Sequence, residues 1–401
     1  MHLILGLLFI FGLNSALAQA WKTLPKGVRI VGYKNVTTSR ITSNFNQFGS
    51  QSSLGTEFQI DAATFNSMMG TGISQDPNNN FNNVVVGAYA VDASAQVNVQ
   101  GMGFGYGITN DVMFYAEVAH YKAQVRSRIR RTRGNTYEQA AQAFENENGG
   151  ILDEVMAENL RRMIDADERT IQSVITNVYD YQPIGDWYGE GFGDMETGFM
   201  VKVLERDTWG LQLFPGAVLP TGRQDDPDIL QDIGFGDGQF DFFTEAATGY
   251  VATDALSFGA TLRYTYQAPT RKTLRVPTNS DVPLSTEKGE FDVKYGNKLN
   301  AMVFTKYNVS DWISLSQSYR YMKQEAATFD SKYGAANRFL EYNSDKNEHQ
   351  IQSSLTLSSI TPFLKKAFPL PASVGFNYVD TLRGKNVPKV SRYEIEFRML
   401  F

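Results

Sequence analysis

The sequence has no cysteine at all. That excludes a disulfide framework and any thiolate metal site, so the fold must rest on packing and hydrogen bonding. Histidine is nearly absent too, with three in 401 residues. His2 falls in a segment read below as a leader, which leaves His120 and His349 for imidazole chemistry. A histidine with a serine two residues along the same strand would suit a membrane-embedded hydrolase, but Lys122 and Ile351 stand at those positions. No Gly-x-Ser-x-Gly elbow occurs, so no catalytic residue, cofactor or metal is expected. Beyond the first twenty residues no run approaches the ~20 apolar residues of a spanning helix. With a mean hydropathy of -0.30, a bundle of membrane helices is excluded. The net charge of -6 gives no reason to expect nucleic acid as a partner.

What is abundant is aromatic residues and glycine: 20 Tyr, 27 Phe and 34 Gly. This composition suits strands, tight turns and the aromatic girdles of a membrane barrel. The chain opens on an apolar run from Leu3 to Leu13, followed by Ala16-Leu17-Ala18 and Ala18-Gln19-Ala20. Residues 1–20 read as a secretory signal peptide, leaving 21–401 as one exported domain.

The last ten residues alternate without a slip. Tyr393, Ile395, Phe397, Met399 and Phe401 fall on one face, with Arg392, Glu394, Glu396 and Arg398 on the other. A period of two with one apolar and one charged surface suits either a soluble sheet or a barrel wall between lipid and a wet lumen. The same period marks strands at 26–37, 92–107, 112–127, 192–205, 208–220, 239–250, 255–268, 291–307, 312–325, 346–359, 372–382 and 389–401.

The connections favour the barrel. Ile108-Thr109-Asn110-Asp111, Glu205-Arg206-Asp207-Thr208, Val251-Ala252-Thr253-Asp254 and Asn308-Val309-Ser310-Asp311 are tight polar turns, and each alternates with a much longer linker. Short turns at one rim and long loops at the other are the asymmetry of an outer-membrane barrel. The expected fold is therefore all-β: a transmembrane antiparallel barrel of about twelve strands in the bacterial outer membrane. The segments 38–91, 128–191, 221–238, 269–290 and 326–345 would be extracellular. Within 128–191 a helical stripe runs through Ile151, Leu152, Val155, Met156, Met163, Ile164, Ile171, Val174, Ile175 and Val178, predicting a helical loop insertion. Part of 38–91 could fold into the lumen as a plug. The segment 361–369, on the periplasmic side, is amphipathic and suggests a short interfacial helix.

Several residues carry functional expectations. Phe214 and Val218 should face inward if Trp209, Leu211 and Leu213 face lipid, and Arg263 lies on the polar face of its strand. Met302 and Phe304 share a face with Lys298, Asn300 and Lys306. Together with Arg392, Glu394, Glu396 and Arg398 these outline a lumen of mixed charge and apolar patches, unlike the evenly polar interior of a water-filled porin. Arg126, Arg128 and Arg130 leave the membrane at alternate positions and could pair with lipopolysaccharide phosphates, since guanidinium binds phosphate bidentately. The terminal Phe401 is where barrel-assembly machinery would take hold. The acidic stretch Asp225 to Asp237 fits no EF-hand spacing and reads as a solvated loop.

Three motifs in the middle of the chain carry a resemblance: Gly191-Phe192-Gly193-Asp194-Met195 followed by Gly198, then Pro215-Gly216-Ala217-Val218-Leu219-Pro220-Thr221-Gly222, then Gly234-Phe235-Gly236-Asp237-Gly238-Gln239. In this order they resemble the outer-membrane family linked to the meta-pathway of phenol degradation, itself similar in style to fatty-acid and toluene channels. Leu24-Pro25-Lys26-Gly27 belongs to the same pattern. The resemblance implies a barrel that passes small hydrophobic or aromatic compounds. The alternative is a surface receptor or adhesion barrel acting through its long loops.

Overall fold

The computed structural model describes residues 22–61, 85–136, 166–278 and 284–401. The leader, the tip at 76–80 and the helical stripe from Ile151 to Ile164 lie outside the described residues. Twelve strands form the barrel: β1 (Arg29–Thr38), β2 (Val85–Gly107), β3 (Val112–Arg133), β4 (Met195–Glu205), β5 (Trp209–Leu219), β6 (Asp241–Val251), β7 (Leu256–Gln267), β8 (Lys298–Asn308), β9 (Ile313–Gln324), β10 (Lys346–Ser358), β11 (Ala372–Lys385) and β12 (Ser391–Leu400). Each pairs antiparallel with its chain neighbours, and β1 closes the ring against β12 with Ile30 opposite Leu400 and Thr38 opposite Arg392. Closure leaves no strand edge unpaired in the hydrocarbon, where an open edge would be prohibitively costly.

The pleat sorts the side chains. On β12, Tyr393, Ile395 and Phe397 point outward and are exposed, while Arg392, Glu394, Glu396 and Arg398 point inward and are buried. On β7, Phe258, Leu262, Tyr264 and Tyr266 face out and Arg263, Thr265 and Gln267 face in. An apolar exterior around a charged interior inverts a soluble protein and is what a transmembrane barrel requires. Among the described residues no helix is long and apolar enough to cross a membrane, so the strands do it.

One rim is made of tight turns, and the sequence dictates their geometry. Thr109 Oγ1 accepts from the backbone N–H of Asp111 and Val112, Thr253 Oγ1 from Leu256, and Ser310 Oγ from Trp312 and Ile313. Each hydroxyl caps a turn locally, leaving the strands in register. The fifth connection at this rim carries the short helix α3 (Ile360–Leu364), so the amphipathic segment at 361–369 is helical at its start.

The opposite rim is tall. β2 and β3 run 23 and 22 residues, well past the membrane, and are flanked there by strands Thr56–Asp61 and Trp187–Phe192. Helix α1 (Glu168–Ser173), capped by Asp167, and the π turn Val174–Val178 pack beside this wing. Tyr89 donates to the Ala166 carbonyl at 2.7 Å to tie them in. A separate cap is built from the hairpin Thr270–Arg275 and Lys288–Lys294, the strand Thr328–Asp330 and helix α2 (Gly334–Glu341) around buried Phe291, Val293 and Ala336.

Arg275 holds that cap to its surroundings. Its guanidinium donates to the carbonyls of Tyr179, Asp180 and Ser285, lies over the Tyr181 ring and pairs with Asp228 at 2.5 Å. Arg275→Ala should cost the cap about 2–3 kcal/mol, the scale of losing charge-assisted bonds at a buried site. Limited trypsin digestion should then cut within 270–295 far faster than in wild type, with the barrel strands still protected.

Candidate functional site

The three glycine-rich motifs converge on one carboxylate. Between the strand Trp187–Phe192 and β4 the wall is interrupted, and Gly193 N–H donates to Ala119 O at 2.7 Å while Asp194 turns into the lumen. Asp194 Oδ1 accepts from Gly222 N–H at 2.8 Å, and Oδ2 accepts from Asp237 N–H at 3.2 Å. Thr221 Oγ1 accepts from Met195 N–H and donates to Gly193 O. Glycine is required here for close approach: a Cβ on Gly222 would lie 2.8 Å from Gly236 Cα, and one on Gly236 would collide with Asp194 Oδ1.

This latch folds residues 221–238 into the barrel. Arg223 binds both oxygens of Asp232 and stacks between Trp187 and Phe235. Phe235 lies flat on Tyr121, ring centroids 5.2 Å apart. Ile233 and Phe235 then join Val36, Ile41, Leu54, Val97, Val99, Ala123 and Val125 in a dry core against the inner face of β1–β3. The acidic stretch is therefore not a solvated loop. Its most buried carboxylate, Asp232, is neutralised by Arg223, and its apolar members have a wall to pack on. Part of the segment after β1 also lies inside: Ile41 bridges Ala95 and Leu54 is buried in the same core.

A second apolar core fills the turn-side half of the same wall. Leu24 tucks into the mouth with Ile30, Met113, Tyr115, Met200, Phe214, Phe243 and Ala247, and Val218 packs against this cluster. Thr23 and Lys26 anchor the incoming chain to Asn110. Phe214 and Val218 thus line the lumen as filled core.

The rest of the lumen is polar and charged. Arg263 reaches across to Glu196 with two bonds of 2.8 and 3.1 Å, lies 3.5 Å over the Phe243 ring, and pairs in register with Glu245. Tyr115 donates to the same Glu196 at 3.0 Å. Glu394 is held by Lys34 and Arg392, each at 2.7 Å, and Arg398 binds Glu396. Met302, Phe304 and Lys306 face inward on β8, and the inner faces of β9 and β10 carry Ser314, Ser316, Ser318 and Ser354.

A cavity of about 220 Å³ remains, lined among others by Tyr121, Phe235, Asp237, Asp241, Lys298 and Arg320. Ligand cavities usually run about 300–1,000 Å³, so this one suits a small solute.

The ten lumen residues singled out from sequence all lie on the inner wall, divided among the dry core, the Arg263–Glu196 group, the β12 pairs and the β8 face. Sequence reasoning passed over Glu196, Glu245, Arg320, Lys346 and Asp194. The first four were marked by strand phase, each sharing the inward parity of its own strand. Arg126, Arg128 and Arg130 lie on the outward face of β3 above the apolar belt, where Arg130 pairs with Asp92. His120 sits edge-on to Phe192 on the outer surface, and His349 contacts Tyr319 there. Phe401 is exposed at the turn rim, its backbone paired with Arg29.

No family model matches this chain, and no curated protein matches it either. Among solved structures it is similar to an outer-membrane channel from Pseudomonas putida F1, with a TM-score of 0.53 and 12% identity over 95% of this chain and 98% of that one. A FadL homologue from Pseudomonas aeruginosa matches with a TM-score of 0.35 and 8% identity, over 95% of this chain and 91% of that one. The P. putida toluene transporter TodX matches with a TM-score of 0.32 and 10% identity, over 94% and 89%. The first of these shares the architecture end to end, and the chain folds as an integral outer-membrane β-barrel of twelve antiparallel strands.

Proposed function

We propose that the protein is a channel for passive uptake of small hydrophobic or aromatic compounds across the outer membrane. The observation that carries this reading is the lumen itself. It is narrowed by an inward-latched loop to a small cavity that sets aromatic and thioether side chains beside charged ones. A wide, evenly polar pore would suit bulk hydrophilic traffic instead. The motif resemblance to the family linked to the meta-pathway of phenol degradation supports the same class of solute.

Uptake of benzyl alcohol and catechol into liposomes carrying the purified protein should exceed uptake into empty liposomes. Equal rates, with the barrel folded, would remove the channel reading and leave a barrel that works through its extracellular segments.

We assign two partners beyond the solute. Lipopolysaccharide phosphates would meet Arg126, Arg128 and Arg130, whose outward direction on β3 supports the contact. Changing all three to Gln should lower the lipopolysaccharide that co-purifies, and unchanged co-purification would contradict it. Barrel-assembly machinery would recognise the exposed terminal Phe401, and Phe401→Ala should slow outer-membrane insertion in cells.

A further inference from the structure

Three inward cations without an ion pair among the described residues stand on one wall. Lys346 on β10, Arg320 on β9 and Lys306 on β8 all face inward, and among the described residues no carboxylate comes within ion-pair distance of any of them. Lys306 is only 7% exposed, so its ammonium is held inside without a counter-charge. Burying a cation that way is unfavourable unless something pairs with it.

The register arranges these groups as a descending row. Gln324 lies opposite both Lys298 and Lys346, which places those two lysines together at the extracellular end; Lys298 stands 3.7 Å from Asp241. Arg320 is four residues further down β9, opposite Met302, and Lys306 is four residues beyond Met302 on β8. At about 3.3 Å per residue each step is ~13 Å along the strand. The row thus runs from the cavity rim to near the turn side. Its neighbours are small hydroxyls and soft apolar groups: Ser316, Ser318, Met302, Phe304 and Met322, with Arg320 Nη2 4.0 Å from Met302 Sδ.

The carboxylates are disposed differently. Glu196 and Glu245 flank Arg263, Glu394 and Glu396 are bound by their own basic partners, Asp194, Asp237 and Asp241 line the cavity, and Glu348, on the cation wall opposite Met322, accepts from Gln350 and Thr381. Much of the β1–β3 side is filled by apolar core, and the cavity that remains is bordered by Lys346 and Arg320 of the cation wall. A neutral aromatic solute would have no use for such a row.

We propose that Lys346, Arg320 and Lys306 hand the carboxylate of a small aromatic acid down the lumen while its ring passes over Met322, Met302 and Phe304. This rests on the channel reading above and specifies the solute class within it. The same field lets one wall attract the anion while the Glu196–Glu245 side repels it.

The test compares liposome uptake of benzoate, benzyl alcohol and benzylamine, three probes of one size and different charge. Wild type should favour benzoate over benzylamine by about ten-fold or more, a preference that weakens in high salt. In Lys306→Met, in Arg320→Met and in the rim variant Lys346→Gln, the ratio of benzoate to benzyl alcohol uptake should fall several-fold, with folding checked by heat-modifiable migration. Lys346→Gln lies at the extracellular end of the row, where the side chain is only partly buried, and tests the idea even if the deeper variants misfold. Wild-type preference for benzylamine, or an unchanged ratio in a folded variant, would overturn the proposal while leaving the channel standing. If none of the three probes crosses, the channel reading itself falls and takes this one with it.

Discussion

Gly236→Val should widen the pore. The new side chain collides with Asp194 Oδ1, the carboxylate that the latch itself holds, and has only 2.8 Å to the backbone at Gly222 Cα. The latch must open, which frees residues 221–238 from the inner wall. What opposes opening is the burial of Ile233 and Phe235, worth about 1.5–3 kcal/mol each, together with the two bonds that Asp194 accepts. The clash is relieved by displacing the loop, because the strand ladders hold the barrel wall in place. A barrel of twelve strands encloses more space than its own wall side chains fill, so single-channel conductance should rise roughly two-fold or more. Asp194→Ala removes the acceptors without adding bulk and should give an intermediate increase. Unchanged conductance in folded Gly236→Val would mean that the loop does not limit the path.

The second large effect is expected at Arg263. It is 2% exposed and neutralises Glu196, which also holds the Tyr115 hydroxyl, with Glu245 directly opposite in register. Arg263→Met leaves two inward carboxylates without their cation. Removing one partner of a buried pair typically costs about 3–5 kcal/mol, and the second carboxylate places this site at the upper end. The variant should unfold at clearly lower urea, read from the migration shift of the folded barrel on gels. Arg263→Met combined with Glu196→Gln should recover most of the loss. Failure to recover would show that Arg263 acts through its stacking on Phe243 and not through charge.

Much of this architecture was legible because a barrel wall writes its inside and outside into alternate residues. The terminal strand is the clearest case: Arg392, Glu394, Glu396 and Arg398 share one parity and one face. Where both faces are covered, the pattern vanishes. Residues 86–90 are buried throughout, so the upper part of β2 shows no alternation and reads as loop. The run 291–307 reads as one strand, yet Phe291 and Val293 serve the extracellular cap, and the barrel strand begins only at Lys298.

The latch was hidden for a different reason. Its motifs stood out as turns and strand ends, but the bonds that give them meaning join Asp194 to Gly222 and Asp237, 28 and 43 residues away. Likewise Asp232 looks like one more solvated acid until Arg223 is placed beside it. Local pattern reports which face a residue takes. It does not report what lies across a lumen.

Passive uptake requires the barrel to enclose a continuous, narrow, loop-restricted path. Planar-bilayer recording of the purified wild-type protein tests it most directly. Discrete small conductance steps that grow when residues 221–238 are deleted are the predicted result; a folded barrel silent both with and without that loop would contradict it.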